Sequence, residues 1–168
     1  MKKILCLLTV FIITFALAAC KNQSTHSVGD FKFYYRTAST TSDTKNSVID
    51  FEYRKSSSDI KDILQNYLNG PLDKKLVSPF PENLSISEFD TGPARASIVL
   101  SEEITELKGH QLTIACSCLA KTIFELAGTR SVEIKCESGL IGGQQSIVLI
   151  SKDIVINDTY FESLEENS

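Results

Sequence analysis

Asp59-Ile60-Lys61-Asp62-Ile63-Leu64-Gln65-Asn66-Tyr67-Leu68-Asn69-Gly70-Pro71 decides how this chain is read. Its apolar residues fall at 60, 63, 64, 67 and 68, one face of a helix with 3.6 residues per turn. Ser58 or Asp59 can cap the first turn by accepting a bond from an otherwise orphaned N–H. Gly70 is free to take the left-handed turn that ends a helix, and Pro71 cannot continue one. An amphipathic helix with such a firm stop needs a partner layer for its stripe, so the flanking segments are read for strands.

Upstream, Phe31-Lys32-Phe33-Tyr34-Tyr35-Arg36 alternates like a strand, with Phe31, Phe33 and Tyr35 on one face and Lys32, Tyr34 and Arg36 on the other. Val48 to Arg54 alternates as well, which sets Ile49, Phe51 and Tyr53 against Val48, Asp50, Glu52 and Arg54. The segment between them, Thr37 to Asn46, is polar and reads as a loop. Downstream, Leu72 to Asn83 carries Pro79 and Pro81 around Phe80 and reads as an ordered loop with Phe80 on the core. Leu84 to Phe89 and Ala94 to Leu100 form a hairpin across the Asp90-Thr91-Gly92-Pro93 turn signal.

An acidic connection, Ser101 to Gly109, leads into a second helix over Gln111 to Ala127, closed by Gly128. Leu112, Ala115, Cys116, Leu119, Ile123 and Leu126 form its stripe, and Cys118 points about 200° away from Cys116 at ~100° per residue. Val132 to Cys136 and Ser146 to Ile150 are two further strands around a glycine-containing turn. The expected order is β-β-α-β-β-α-β-β. The expected class is α/β in the α+β sense: a two-layer mixed sheet with two helices on one face.

The N-terminus carries an address. Met1-Lys2-Lys3 is basic, Ile4 to Ala19 is uncharged, and the run ends in small residues, as a signal peptide does. Leu17-Ala18-Ala19-Cys20 resembles the bacterial lipobox. That resemblance implies cleavage before Cys20, a diacylglyceryl thioether on its sulfur, and further acylation (palmitate, for example) of its amine. More than one acyl chain holds a protein on a bilayer where a single chain does not. The chain is thereby divided into a signal peptide (1–19), a lipid-anchored tether (20–30), one domain (31–156) and an acidic tail (157–168). The expected location is the outer face of the cell membrane.

Lys+Arg 17 against Asp+Glu 21 gives a net charge of -4, and loss of the leader with Lys2 and Lys3 makes the chain more acidic still. Such a balance disfavours nucleic acid, which needs clustered Lys and Arg, and disfavours adhesion to anionic lipid through net charge. The three domain cysteines, Cys116, Cys118 and Cys136, are too few for a disulfide framework. A single bridge from Cys136 to either Cys116 or Cys118 is open; small buried apolar residues is the simpler reading.

No residue set converges on catalysis. His26 lies in the tether, and His110 faces away from Cys116 on the second helix, so neither forms a nucleophile–base pair. Cys116-Ser117-Cys118 lacks zinc-ligand spacing. Glu102, Glu103 and Glu106 precede a helix, where carboxylates suit the dipole and the solvent. The Gly139 to Gly143 stretch joins two strands and opens no helix, so it makes no phosphate cradle. The expectation is no enzyme, no cofactor and no metal. Tyr34, flanked by Lys32 and Arg36, is the one hint of a contact surface.

The segment Asp62 to Pro71, the Ser78-Pro79-Phe80-Pro81-Glu82 loop, the Ile98-Val99-Leu100-Ser101-Glu102-Glu103 strand end and the Thr129 to Ile134 strand, in that order, resemble the spore germination GerM-type (GerMN) domain. The resemblance implies an α/β module shaped like ring-building domains, found in lipoproteins and envelope proteins and without enzymatic activity. It implies a lipid-anchored module that binds another envelope protein or the cell wall, in the setting of sporulation or germination. The alternative is a peptidoglycan- or carbohydrate-binding accessory module.

Overall fold

The structure is a computed structural model, and it describes residues 29–38, 48–56 and 59–154. Cys20, His26, the leader and the acidic tail lie outside the described residues. The elements in chain order are β1 (Gly29–Thr37), β2 (Ile49–Ser56), α1 (Ile60–Leu68), β3 (Leu76–Val77), β4 (Ile86–Thr91), β5 (Arg95–Leu100), α2 (His110–Ala127), β6 (Ser131–Cys136) and β7 (Ile147–Ile150). A 3-10 turn, Glu102–Glu106, forms in the acidic connection and places Ile104 in the core.

α1 is the expected helix. The Asp59 side chain accepts from the Lys61 N–H at 2.9 Å, and Gly70 follows at φ +106°. Ile63, Leu64, Tyr67 and Leu68 are buried. α2 ends as expected on Gly128, whose left-handed conformation (φ +62°) lets its N–H reach the Phe124 carbonyl.

The α+β class and the two helices are as expected, but the strands divide between two sheets. β2-β1-β3 is antiparallel throughout. β4-β5-β6-β7 is mixed, with β5 and β6 parallel and the outer pairs antiparallel. The reason lies at Tyr34. Its N–H donates to Thr122 Oγ1 of α2 at 3.1 Å, and its carbonyl accepts from the Tyr67 hydroxyl of α1 at 2.6 Å. Both groups point to the β1 edge away from β2, so side chains from the two helices occupy the place where a strand of the other sheet would pair.

β3 was not expected; it arises where the Pro71 to Asn83 segment runs back beside Arg36 and Thr37. In the β4–β5 hairpin a bulge between Ile86 and Glu88 makes Ser87 the extra residue, which brings Phe89 opposite Ile98. This explains why the apolar alternation of the sequence loses its phase there.

The core lies between the helices and the inner faces of both sheets. Ala96, Ile98, Leu100, Val132 and Ile134 are fully buried on one side, and Tyr67 is the aromatic centre. Its ring centroid lies 4.8 Å from Tyr35, 5.2 Å from Phe80 and 5.8 Å from Phe33. Phe80 docks on the core as the loop reading required. Among the described residues no helix is long and apolar enough to cross a membrane.

Candidate interaction surfaces

β1 and β2 do not keep the faces their separate alternations predict. Register pairs Phe33 with Glu52, Tyr35 with Asp50, Tyr34 with Phe51 and Lys32 with Tyr53. The apolar side of β1 therefore shares a face with the charged side of β2, and the reverse holds on the other face.

The inner face solves this with an ion pair. Arg54 and Glu52 pair there with their side chains only 15% and 10% exposed. Arg54 Nε donates to Glu52 Oε1 at 2.6 Å, and its Nη2 donates to the Tyr35 hydroxyl and the Gly70 carbonyl, each at 2.7 Å. The guanidinium stacks over the Phe33 ring at 5.2 Å. The Glu52 carboxylate accepts from the backbone N–H groups of Leu72 and Asp73. Tyr35 is in turn held near the Tyr67 and Gly70 carbonyls, and burial pushes its hydroxyl pKa well up, so it stays protonated. The cluster ties the Gly-Pro stop of α1 to β2. Single-strand alternation gives no warning of it, because the pairing register is a property of two strands.

The outer face carries an aromatic row. Tyr34 and Phe51 lie 5.6 Å apart, and Phe51 and Tyr53 meet edge to face at 5.3 Å. Lys32 Nζ stands 4.8 Å over the Phe51 ring, and Lys121 Nζ of α2 stands 5.1 Å over Tyr34. Tyr34 itself is buried, its hydroxyl donating to Glu125 at 3.3 Å. The contact hint in the sequence therefore moves from Tyr34 to its neighbours: Tyr53 is 61% exposed, Lys55 is exposed beside it, and Arg36 is exposed at the other end of the face, opposite Ile49.

A second open surface is the outer face of the four-stranded sheet. Register places Ser97, Glu133 and Val148 in one row, Arg95, Ser131 and Ile150 in the next, and Val99 beside Lys135. Val148 and Ile150 are 50% and 40% exposed. Glu133 bridges Arg95 at 2.6 Å and Lys135 at 3.0 Å, and the Lys135 ammonium holds its carboxyl below the usual carboxylate range.

His110 is the exposed first residue of α2. Cys116, Cys118 and Cys136 are free and buried. Cys118 was expected off the core stripe; it is buried because α2 is covered on two flanks, by β1 and by β6 and β7. Burial pushes the Cys116 and Cys118 thiols up to about 12, which unsuits them as nucleophiles. The Ser101 hydroxyl holds the Glu103 carboxyl below its ordinary value, the opposite of what a general acid needs. A cleft of about 580 Å³ opens between Thr105 to Gly109 and the Ser138 to Gly143 turn, and Lys108 is the one charged side chain that lines it. Among the described residues no three His, Cys, Asp or Glu side chains gather as a metal site would require.

No protein-family model and no curated protein sequence matches the chain. Solved structures do match in shape. The first GerMN domain of the sporulation protein GerM from Bacillus subtilis aligns with a TM-score of 0.50 at 13% identity, over 65% of this chain and 83% of that one. The tandem GerMN domains of the same protein align at 0.49 and 16% identity, over 71% of this chain and 42% of that one, so the chain spans less than half of the tandem structure. A Clostridium perfringens protein described as a lipoprotein aligns at 0.45 and 24% identity, over 76% and 91% of the two chains. The fold of the described residues is the GerMN fold.

Proposed function

We propose that this chain is a non-catalytic envelope module, held outside the membrane by an acylated Cys20, that binds another envelope protein through the outer face of its four-stranded sheet. One observation carries the choice of surface. β5 and β6 form the parallel centre of the mixed sheet, and their residues alternate between buried and at least partly exposed, so one face is left open. Here one side is packed on the core while the other shows Val99, Val148 and Ile150 among short serines and an Arg95–Glu133–Lys135 charge row. Apolar centres ringed by paired charges are what protein interfaces are made of. The GerMN neighbour is a sporulation protein, and a role in sporulation or germination is proposed for this chain on that basis.

The test is capture of envelope proteins by the processed chain, compared with a Val148→Glu variant of equal melting temperature. A protein recovered by the first and lost by the second is expected. Equal recovery by both counts against the surface. Sedimentation with purified cell wall and no recovered protein would favour the wall-binding alternative. Cys20→Ala should abolish labelling by a radioactive fatty acid, and persistent labelling would remove the anchor. Spore yield of a deletion strain tests the setting.

A further inference from the structure

We infer that the outer face of the β1–β2 pair rests on an anionic lipid bilayer, so that the four-stranded sheet is turned outward; this rests on the proposed anchor at Cys20. Three observations converge.

The first is local charge. The chain is acidic overall, yet Lys32, Arg36, Lys55 and Lys121 meet at this face, against Asp30 and Glu125. Glu125 is engaged by the Tyr34 hydroxyl. The four-stranded sheet and its connections, residues 84–109 and 128–154, carry eight carboxylates against five basic residues, Arg95, Lys108, Arg130, Lys135 and Lys152, and so are acidic on balance. Net charge alone argued against lipid, but its distribution argues for one basic side. The face would then be drawn to anionic headgroups, while the acidic side is repelled from them.

The second is the kind of side chain. Two of the ammonium groups are held in place over aromatic rings, and Tyr53 projects between Lys32 and Lys55. Tyrosine favours the headgroup level, where its ring is half apolar and its hydroxyl is wet. The faces of Phe51 and Tyr34 are occupied by lysines, so they are poorly placed to stack on a sugar.

The third is reach. β1 begins at Gly29, and residues 21–28 extend to roughly 30 Å at most. The Lys32, Tyr53 and Lys55 end of the face adjoins that root, because Gly29 pairs with Ser56 and Asp30 with Lys55. A short tether keeps the face at high effective concentration beside the bilayer, so even a weak intrinsic attraction orients the domain.

The chain has no tryptophan, which allows a single reporter. The processed chain carries Cys20→Ser and is held on vesicles by an N-terminal histidine tag and nickel-chelating lipid, with either Tyr53→Trp or Leu72→Trp. Leu72 is 79% exposed and bonds through its N–H to Glu52, on the opposite face of the sheet. On vesicles of equal phosphatidylglycerol and phosphatidylcholine, Tyr53→Trp emission should shift to the blue and be quenched by spin-labelled lipid. Leu72→Trp emission should do neither. Lys32→Glu with Lys55→Glu, or 1 M salt, should abolish the Tyr53→Trp effect. The inference is overturned if Tyr53→Trp stays as wet as in free solution, if pure phosphatidylcholine works equally well, or if both positions are quenched alike. Shielding of Tyr53→Trp only when wall glycan or an envelope protein is added overturns it too. The tag replaces the natural anchor, so a failure of fatty-acid labelling at Cys20 is read separately from a failure of the face.

Discussion

The Tyr67 hydroxyl donates to the Tyr34 carbonyl at 2.6 Å, and with the bond from the Tyr35 hydroxyl to the Tyr67 carbonyl it fastens α1 to β1. It is buried at both ends and joins residues that belong to different layers. Tyr67→Phe keeps the ring contacts with Tyr35 and Phe80 and removes only the oxygen. The Tyr34 carbonyl then loses a buried partner, which costs about 1–3 kcal/mol. Urea unfolding should show that loss with an unchanged slope. A variant as stable as the wild type would mean that water or a neighbour satisfies the carbonyl.

Arg54→Met should cost more than Tyr67→Phe. It leaves the Glu52 carboxylate inside with only the Leu72 and Asp73 N–H groups as partners, and breaking a buried pair in this way costs about 3–5 kcal/mol. Glu52→Gln in the Arg54→Met background should recover part of that loss, because the orphaned charge is gone. The double-mutant cycle therefore predicts strong coupling. Additive effects would show that the pair is solvated in solution.

Leu64→Asp should prevent folding. Leu64 is fully buried at the middle of the α1 stripe within the hydrophobic core cluster, where an introduced carboxylate would be stripped of water. Far-ultraviolet circular dichroism at neutral pH is the measurement, and a native spectrum would contradict the placement of the helix.

How much of this was legible in the sequence depends on the range of the forces. α1 was readable because its stripe, its Asp59 cap and its Gly70 stop are all local. The β4–β5 hairpin was readable for the same reason, up to the bulge that shifts its phase at Ser87. The split into two sheets was not, since it depends on Thr122 and Tyr67 reaching Tyr34 across separations of 88 and 33 residues. The candidate surfaces were only half legible. Lys32 and Arg36 drew attention to β1, but the exposed ring belongs to Tyr53, whose strand looked apolar on that side until register paired it with Lys32.

The buried thiols predict an alkaline weakness. Cys116 and Cys118 have their pKa pushed up to about 12 by burial, from an ordinary value of 9.0. Well below pH 9 the thiols are protonated in both folded and unfolded chains and contribute no pH dependence. Between 9 and 12 the unfolded chain releases their protons while the folded chain keeps them, so stability falls as pH rises. Tyr35 and Tyr67, whose hydroxyl pKa values are also raised by burial, add to the loss once the unfolded tyrosines begin to ionise near pH 10. The interval from about pH 9 to 10 therefore belongs mainly to cysteine. The melting temperature should decline across it, and Cys116→Ala with Cys118→Ala should flatten the decline even if the cavities lower stability at every pH. An equally steep decline in the double variant would mean that these thiols are reached by water in the folded chain.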